Sequence, residues 1–459
     1  MAIKTIIEPF RIKMVEPITM HTEAERIDYL KAAHYNPFQL SSDQVIIDLL
    51  TDSGTSAMSA RQWAGMMEGD ESYAGSQSWL KMEKAVKDLS GMEYILPTHQ
   101  GRAAERIIYT LLGGAGKYFF SNTHFDTTRA NIEFSGATAI DLPIEEGKNP
   151  QLIHPFKGNL DVAALEKHIL DVDAQQVSAV ILTVTNNSGG GQPVSMQNAR
   201  EVAAVCAKYN IPFLLDMCRI AENAWFIRQR EEGFADVSCY DIAREMMRLA
   251  DGAVMSSKKD ALVNMGGFLA LKDPDLAEEC KNLLIITEGF TTYGGLSGRD
   301  MEAIAIGLEE VFRHDYLEYR IKSTEYLGRK LTELGVPIMQ PTGGHAVYVD
   351  ARTFYDHIPV HEYPGQALVC DLYRVGGIRA VEVGSVMFGK YDEHGAFIPA
   401  PMDLVRLAIP RRVYTQSHME YVAEVFAELV EQKQSSKGYR IIKEPKFLRH
   451  FTAWFEEIV

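Results

Sequence analysis

The stretch Met255-Ser256-Ser257-Lys258-Lys259-Asp260 follows the apolar pair Ala253-Val254 and precedes Met265-Gly266-Gly267-Phe268-Leu269-Ala270-Leu271. Two lysines therefore fall in a turn between two expected strands, not on a solvated helix face. A lysine held in a partly dry place loses stability as an ammonium, and its neutral amine becomes a nucleophile for an aldehyde. Lysines of this kind carry pyridoxal phosphate as a Schiff base. The hydroxyls of Ser256 and Ser257 suit a phosphate, and Gly266-Gly267 lets backbone approach a flat ring. Taken alone, the stretch reads more readily as an exposed Lys-Lys-Asp turn. Other residues reverse that reading.

The chain has 459 residues, enough for more than one domain and a large core. Its net charge of -16 argues against a nucleic-acid partner and against adhesion to an anionic membrane. The cysteines Cys206, Cys218, Cys239, Cys280 and Cys370 are odd in number and widely spaced, with no zinc spacing, which fits a reducing compartment. The segment Met1 to Pro9 lacks the apolar core of a signal peptide, and no run has the length of a membrane span. A cytoplasmic enzyme is expected.

Outward from the lysines, apolar runs alternate with amphipathic stretches. Val177 to Val184, Asn198 to Tyr209 with helical spacing, and Ile211 to Leu215 read as strand, helix and strand of a parallel α/β sheet. Sites in such sheets lie beyond the carboxyl ends of the strands. Val45 to Leu50 reads as a further strand. Residues 299–334 read as one long helix, straight or kinked, with Met301, Ile304, Leu308, Val311 and Phe312 at helical spacing. The expected division is an N-terminal arm completing a small domain over 1–50, a large cofactor-binding domain over 51–310 with a mainly parallel central sheet, and a small α+β domain over 311–459.

Asp216 ends the run Ile211 to Leu215. A carboxylate buried at a strand end needs a cationic partner, which a pyridinium nitrogen supplies. Arg219 reads either as a partner of the cofactor's ring oxygen or of Glu222. Tyr94-Ile95-Leu96, then Pro97-Thr98-His99-Gln100-Gly101-Arg102, then the helical run Ala103 to Leu112 give a strand, a glycine turn and a helix start, which is an anion site. Gln100, Gly101 and Arg102 are the expected phosphate ligands. Thr185 to Pro193 also follows a strand, and its glycines make room for a planar ligand.

Nearly the whole chain, from Glu8-Pro9-Phe10-Arg11-Ile12-Lys13 to Arg449-His450-Phe451-Thr452-Ala453, resembles the family of the tryptophanases and tyrosine phenol-lyases, fold type I pyridoxal-phosphate enzymes. The resemblance includes Leu49 to Thr55, Gly69 to Ser76, Thr98 to Arg102, Gly190 to Ser195, Ser256 to Asp260 and Tyr293 to Leu296. It implies Lys259 as the cofactor-bearing lysine with Lys258 as an auxiliary group, Asp216 on the ring nitrogen and Arg219 near the ring hydroxyl. It further implies Gln100, Gly101, Arg102 and Ser256 on the phosphate, and Phe125 stacked on the ring. Arg406, Asn187 and Thr51 would receive the substrate carboxylate. Phe38 and Val383 would line the substrate side, and Tyr73 would donate a proton from a neighbouring subunit. A potassium ion on Gly54, Asn264 and Glu71, and a homotetramer of catalytic dimers, complete the expectation. Met217-Cys218, after Asp216, and Asn187-Ser188-Gly189 depart from the usual pattern.

Within that family the leaving group decides the substrate. Tyrosine phenol-lyases resemble each other in having Thr and Arg where this chain has Asp126 and Val383. A carboxylate acceptor suits an indole N–H, and a valine suits the apolar ring. His450 also resembles the tryptophanases. The resemblance thus implies β-elimination of L-tryptophan to indole, pyruvate and ammonium. The alternative within the family is release of phenol from L-tyrosine. An aminotransferase and a cofactor-free scaffold are the readings from other classes.

Overall fold

The computed structural model describes residues 6–445 and 448–458. Residues 1–5, which begin the expected arm and carry most of the signal-peptide reading, lie outside the described residues. The chain forms two compact units: Ser53–Gly147 with Pro155–Glu318, and the residues up to Asp52 with Lys148–His154 and those from Tyr319 onward.

The larger unit is built on a seven-stranded sheet. Its strands are β1 (Tyr94–Thr98), β2 (Tyr118–Ser121), β3 (Thr138–Asp141), β4 (Val177–Thr183), β5 (Phe213–Asp216), β6 (Gly252–Ser256) and β7 (Gly267–Leu271), in the spatial order β1-β7-β6-β5-β4-β2-β3. All neighbours are parallel except β7, which runs antiparallel to both β1 and β6. Every residue of β4, Val-Ser-Ala-Val-Ile-Leu-Thr, is buried, as expected of a central parallel strand covered on both faces. Helix α1 (Gly101–Leu112) buries Ala104, Ile107 and Ile108 in a cluster with Leu96, Ile181, Leu214, Val254 and Leu269. Helix α2 (Asp126–Phe134) follows β2. Helix α3 (Met196–Tyr209) is capped by the Ser195 hydroxyl and ends at Asn210 in the left-handed region, which asparagine tolerates.

The parallel register brings Asp216 level with Thr183 and Val254, and the antiparallel pairs bring Ser256 and Thr98 level with Gly267. The carboxyl ends of β1, β4, β5 and β6 therefore open on one edge of the sheet. The expected α/β fold is the one formed.

In the second unit, Ala346–Asp350, Val381–Val383 and Leu404–Ala408 form an antiparallel three-stranded sheet with the last in the centre. Its core packs Val347, Val349, Val405 and Leu407 with Leu368, Leu372 and Phe426 of the helices Pro364–Gly376 and Gln416–Gln432. Of the run Val45 to Leu50, only Ile47–Asp48 is strand, paired parallel with Ile378–Arg379.

The long helix expected over 299–334, straight or kinked, is broken into two, Gly298–Glu310 and His314–Glu333. At the break the Arg313 N–H reaches back to the Glu310 carbonyl, a tight turn, and the Arg313 guanidinium pairs with Asp315 at 2.8 Å. No glycine or proline marks it, so the apolar spacing runs straight through. The segment Lys148–His154 belongs to the second unit although it lies in mid-chain, which no local pattern announces.

Candidate active site

In the larger unit, Lys258 and Lys259 lie in the connection between antiparallel β6 and β7. Several bonds fix that turn. The Gly54 N–H donates to the Lys258 carbonyl (2.9 Å), the Ser257 N–H to the Gly266 carbonyl (3.0 Å) and the Leu262 N–H to the Lys259 carbonyl (2.9 Å). Buried Asp260 accepts from the Ala221 N–H at 2.7 Å, which ties the lysine turn to the first turn of the helix Ile220–Arg230.

Across the sheet edge, α1 begins at Gly101, and the side chain of Gln100 makes no capping bond to it. The Ala103 N–H turns back to the Gln100 carbonyl at 3.1 Å, and the positive end of the helix dipole is left for an anion. A Cβ on Gly101 would meet Ser256 backbone atoms at 2.8 Å, and one on Gly267 would meet the Gln100 and Gly101 backbone at 2.6 Å. Only glycine permits this approach of helix start to strand end. The Ser257 hydroxyl is buried and without a hydrogen-bond partner. The Lys258 amine is pushed down to about 8 by burial and by the charges of Lys259 and Arg102. Three cations that oppose one another, an uncapped helix start and a buried serine fit a phosphate dianion.

Asp216 is buried at the carboxyl end of β5 and accepts from the Cys218 N–H at 3.1 Å. Its charge helps to raise the carboxyl of Glu105 and the thiol of Cys218, in each case after burial itself. An anion in this place fits a protonated ring nitrogen. Arg219 is buried immediately before the helix Ile220–Arg230, and its carbonyl accepts from the Thr185 hydroxyl at 3.1 Å. That bond joins the loop carrying buried Asn187 to the one after β5. Phe125, half-buried, precedes α2, and buried Asp126 opens it, with its carboxylate accepting from the Thr127 N–H at 2.6 Å.

Tyr73 is 70% exposed, stacked on Phe290 and edge-on to Tyr293, and its hydroxyl is raised by the hydrogen bond with Tyr293. Gly54 and Asn264 come together: the Asn264 amide donates to the carbonyls of Gly54 (3.0 Å) and Ser56 (3.1 Å). The Glu71 carboxylate is engaged by the Gly298 N–H at 3.1 Å and by Arg299 at 3.4 Å.

The second unit holds Phe38, Thr51, Val383, Arg406 and His450. Val383 and Arg406 lie on adjacent antiparallel strands, and the Arg406 guanidinium donates to the Leu50 carbonyl at 2.9 Å, one residue before Thr51. The Phe38 and His450 rings are 5.9 Å apart, edge to face, and Asn36 holds the His450 carbonyl at 3.2 Å.

Three further groups, none singled out by the sequence, support these segments. Asp52 is buried and bonded to buried Arg411 at 2.8 Å, with Arg320 at 3.8 Å, which anchors the segment that carries Thr51. His124, next to Phe125, has Nδ1 on the Asp141 carboxylate at 2.6 Å and Nε2 buried without a partner; burial lowers its pKa, against the pull of Asp141. Glu105 is buried under α2. A charged residue on the apolar face of a helix, between Ala104 and Ile107, was the available signal for Glu105. The histidine had none.

The sheet order, the single antiparallel strand and the lysine between β6 and β7 define a fold type I α/β enzyme scaffold. The same fold appears in the serine palmitoyltransferase of Sphingomonas wittichii, at TM-score 0.57 and 15% identity over 90% of this chain and 97% of that one. The Beta-eliminating lyase family matches residues 48–425, and the chain belongs to that family. It is 60% identical to a tryptophanase of Salinibacter ruber over 98% of this chain and 95% of that protein. To a tryptophanase of Rhodobacter capsulatus it is 57% identical over 99% and 100%. A tyrosine phenol-lyase of Pasteurella multocida is 48% identical over 98% of each.

Proposed function

We propose that this chain binds pyridoxal phosphate at Lys259 and cleaves L-tryptophan with water to indole, pyruvate and ammonium. The observation that carries the substrate choice is Asp126, a buried carboxylate at the start of α2. It is an acceptor suited to an indole N–H and unsuited to a phenolate. The higher identity to proteins named tryptophanase, 57–60% against 48% for a tyrosine phenol-lyase, agrees with it.

When bound, the cofactor supplies an electron sink for the carbanion formed at the substrate's α-carbon. The remaining work belongs to the chain. Gln100, Gly101, Arg102 and Ser256 hold the phosphate, Phe125 packs on the ring, Asp216 keeps a proton on the ring nitrogen and Arg219 faces the ring oxygen. The Arg406 fork, with Asn187 and Thr51, orients the substrate carboxylate. Lys259 Nζ removes the α-proton, with Lys258 beside it. Tyr73, supplied by a neighbouring subunit, protonates the indole carbon that bears the side chain. Asp126 and His450 fix the indole, against Phe38 and Val383. Potassium on oxygens of Gly54, Asn264 and Glu71 shapes the lysine turn, which the Gly54 bond to Lys258 supports. A cytoplasmic homotetramer is the proposed working form. No helix among the described residues is long and apolar enough to cross a membrane.

The test is product analysis with tryptophan and with tyrosine separately, with pyridoxal phosphate and potassium present. Equal amounts of indole and pyruvate from tryptophan are expected, with lower activity when sodium replaces potassium. Phenol released from tyrosine faster than indole from tryptophan would overturn the substrate choice.

A further inference from the structure

Glu105 lies one turn into α1, four residues beyond Gly101 at the phosphate end, and is buried. Its carboxylate accepts from the Thr127 hydroxyl at 3.1 Å and, more closely, from the Thr128 hydroxyl. Both threonines are in the first turn of α2, directly after Phe125 and Asp126. Asp126 itself is bonded to the Thr127 N–H. One carboxylate thus clamps the helix that carries the phosphate cradle to the helix that carries the ring-stacking and indole-reading residues. A buried carboxylate is a costly clamp, and a hydrophobic pair would join two helices without that cost.

We propose that Glu105 is a positioning residue that sets the first turn of α2, and through it Asp126, for the aromatic leaving group.

The surroundings make this clamp titratable. Burial first, then the Asp216 charge, push the Glu105 carboxyl up to about 7, while the threonine hydroxyls and Lys259 oppose the shift. The Tyr109 hydroxyl, one turn further along α1, is buried without a partner, and Glu105 and Asp216 add to the burial that raises it. Cys218 is the other acid raised by burial and by Asp216. Ionised, Glu105 accepts from both hydroxyls; protonated, it gives up acceptor strength and the α2 turn is held less firmly.

The inference rests on the tryptophan reading above, so its test has two arms. In the full chain without cofactor, Glu105→Gln should speed amide exchange about tenfold in the peptide 122–135, the size expected for one lost charge-assisted bond, with the peptide 196–209 unchanged. In the loaded enzyme, the same variant should lower kcat/KM for tryptophan about tenfold relative to that for an S-alkyl cysteine, which has no ring to place. The ratio of the two should break near pH 7 in the native protein and be flat in the variant. Thr127→Val and Thr128→Val, which keep shape and remove a donor, should reproduce both effects in part if Glu105→Gln fails to fold. Unchanged exchange over 122–135 in these variants overturns the proposal, as do equal losses on the two substrates. A native chain that releases no indole overturns the substrate reading instead, and the exchange arm then decides the clamp alone.

Discussion

The Ser256 N–H donates to Sγ of Cys218 at 3.1 Å, so the end of the strand that leads to the lysines is held by the loop that follows Asp216. The thiol lies next to the Asp216 carboxylate, and burial together with that charge keeps it far above the ordinary thiol range, hence neutral. Cys218 therefore links the proposed phosphate and ring-nitrogen ends of the site. Cys218→Ala removes the acceptor and leaves a buried N–H, at a cost of about 1 kcal/mol. Cofactor affinity measured by fluorescence titration should fall about fivefold, with turnover at saturating cofactor retained. Unaltered affinity would reduce the contact to packing.

Lys259→Ala should abolish turnover and covalent attachment of the cofactor, since in the proposed assignment one amine serves for both attachment and proton removal. Lys258→Ala should keep the attachment. Borohydride reduction followed by peptide mapping decides between the two, and label on Lys258 would reverse the assignment.

Two ionisable groups of the site, buried Glu105 and half-buried Lys258, predict pH effects of opposite sign on the stability of the cofactor-free protein. Glu105 has its folded pKa raised to about 7 from 4.5, so the folded state binds the proton more tightly. Nothing is lost below about 4.5, and stability falls as the pH rises from there through 7, by on the order of 3 kcal/mol. Lys258 is lowered to about 8 from 10.5, so its penalty is present below 8 and relieved as the pH rises toward 10.5. Denaturant titrations should show Glu105→Gln gaining on the native protein between pH 5 and 7, and Lys258→Met gaining most below pH 8. A pH-independent difference for either variant would contradict the corresponding shift.

With Asp126 in its proposed role, Asp126→Ala would leave the indole N–H unpaired in a dry pocket, at roughly 1–3 kcal/mol, or about ten- to a hundredfold. Indole release from tryptophan should drop by that factor while elimination from an S-alkyl cysteine stays nearly intact. Steady-state assays on both substrates measure the contrast. Equal losses would mean that Asp126 serves the fold or the cofactor end rather than the ring.

The strand-end positions of Asp216, Gln100 to Arg102 and Lys258-Lys259 were legible because each follows an apolar run and carries a charge or glycine where a helix face or a solvated loop would not need one. A continuous buried run such as Val177 to Thr183 declares a covered parallel strand by itself. The break at 311–313 and the placement of Lys148–His154 were not legible, because neither interrupts a local pattern. The clamp on Glu105, the thiol contact of Cys218 and the Asp52–Arg411 pair join residues 22 to 359 positions apart. Local periodicity reports which face of an element is apolar. It does not report which neighbour's polar group meets a buried charge, because that depends on the order of strands in the sheet and on the packing of helices over it.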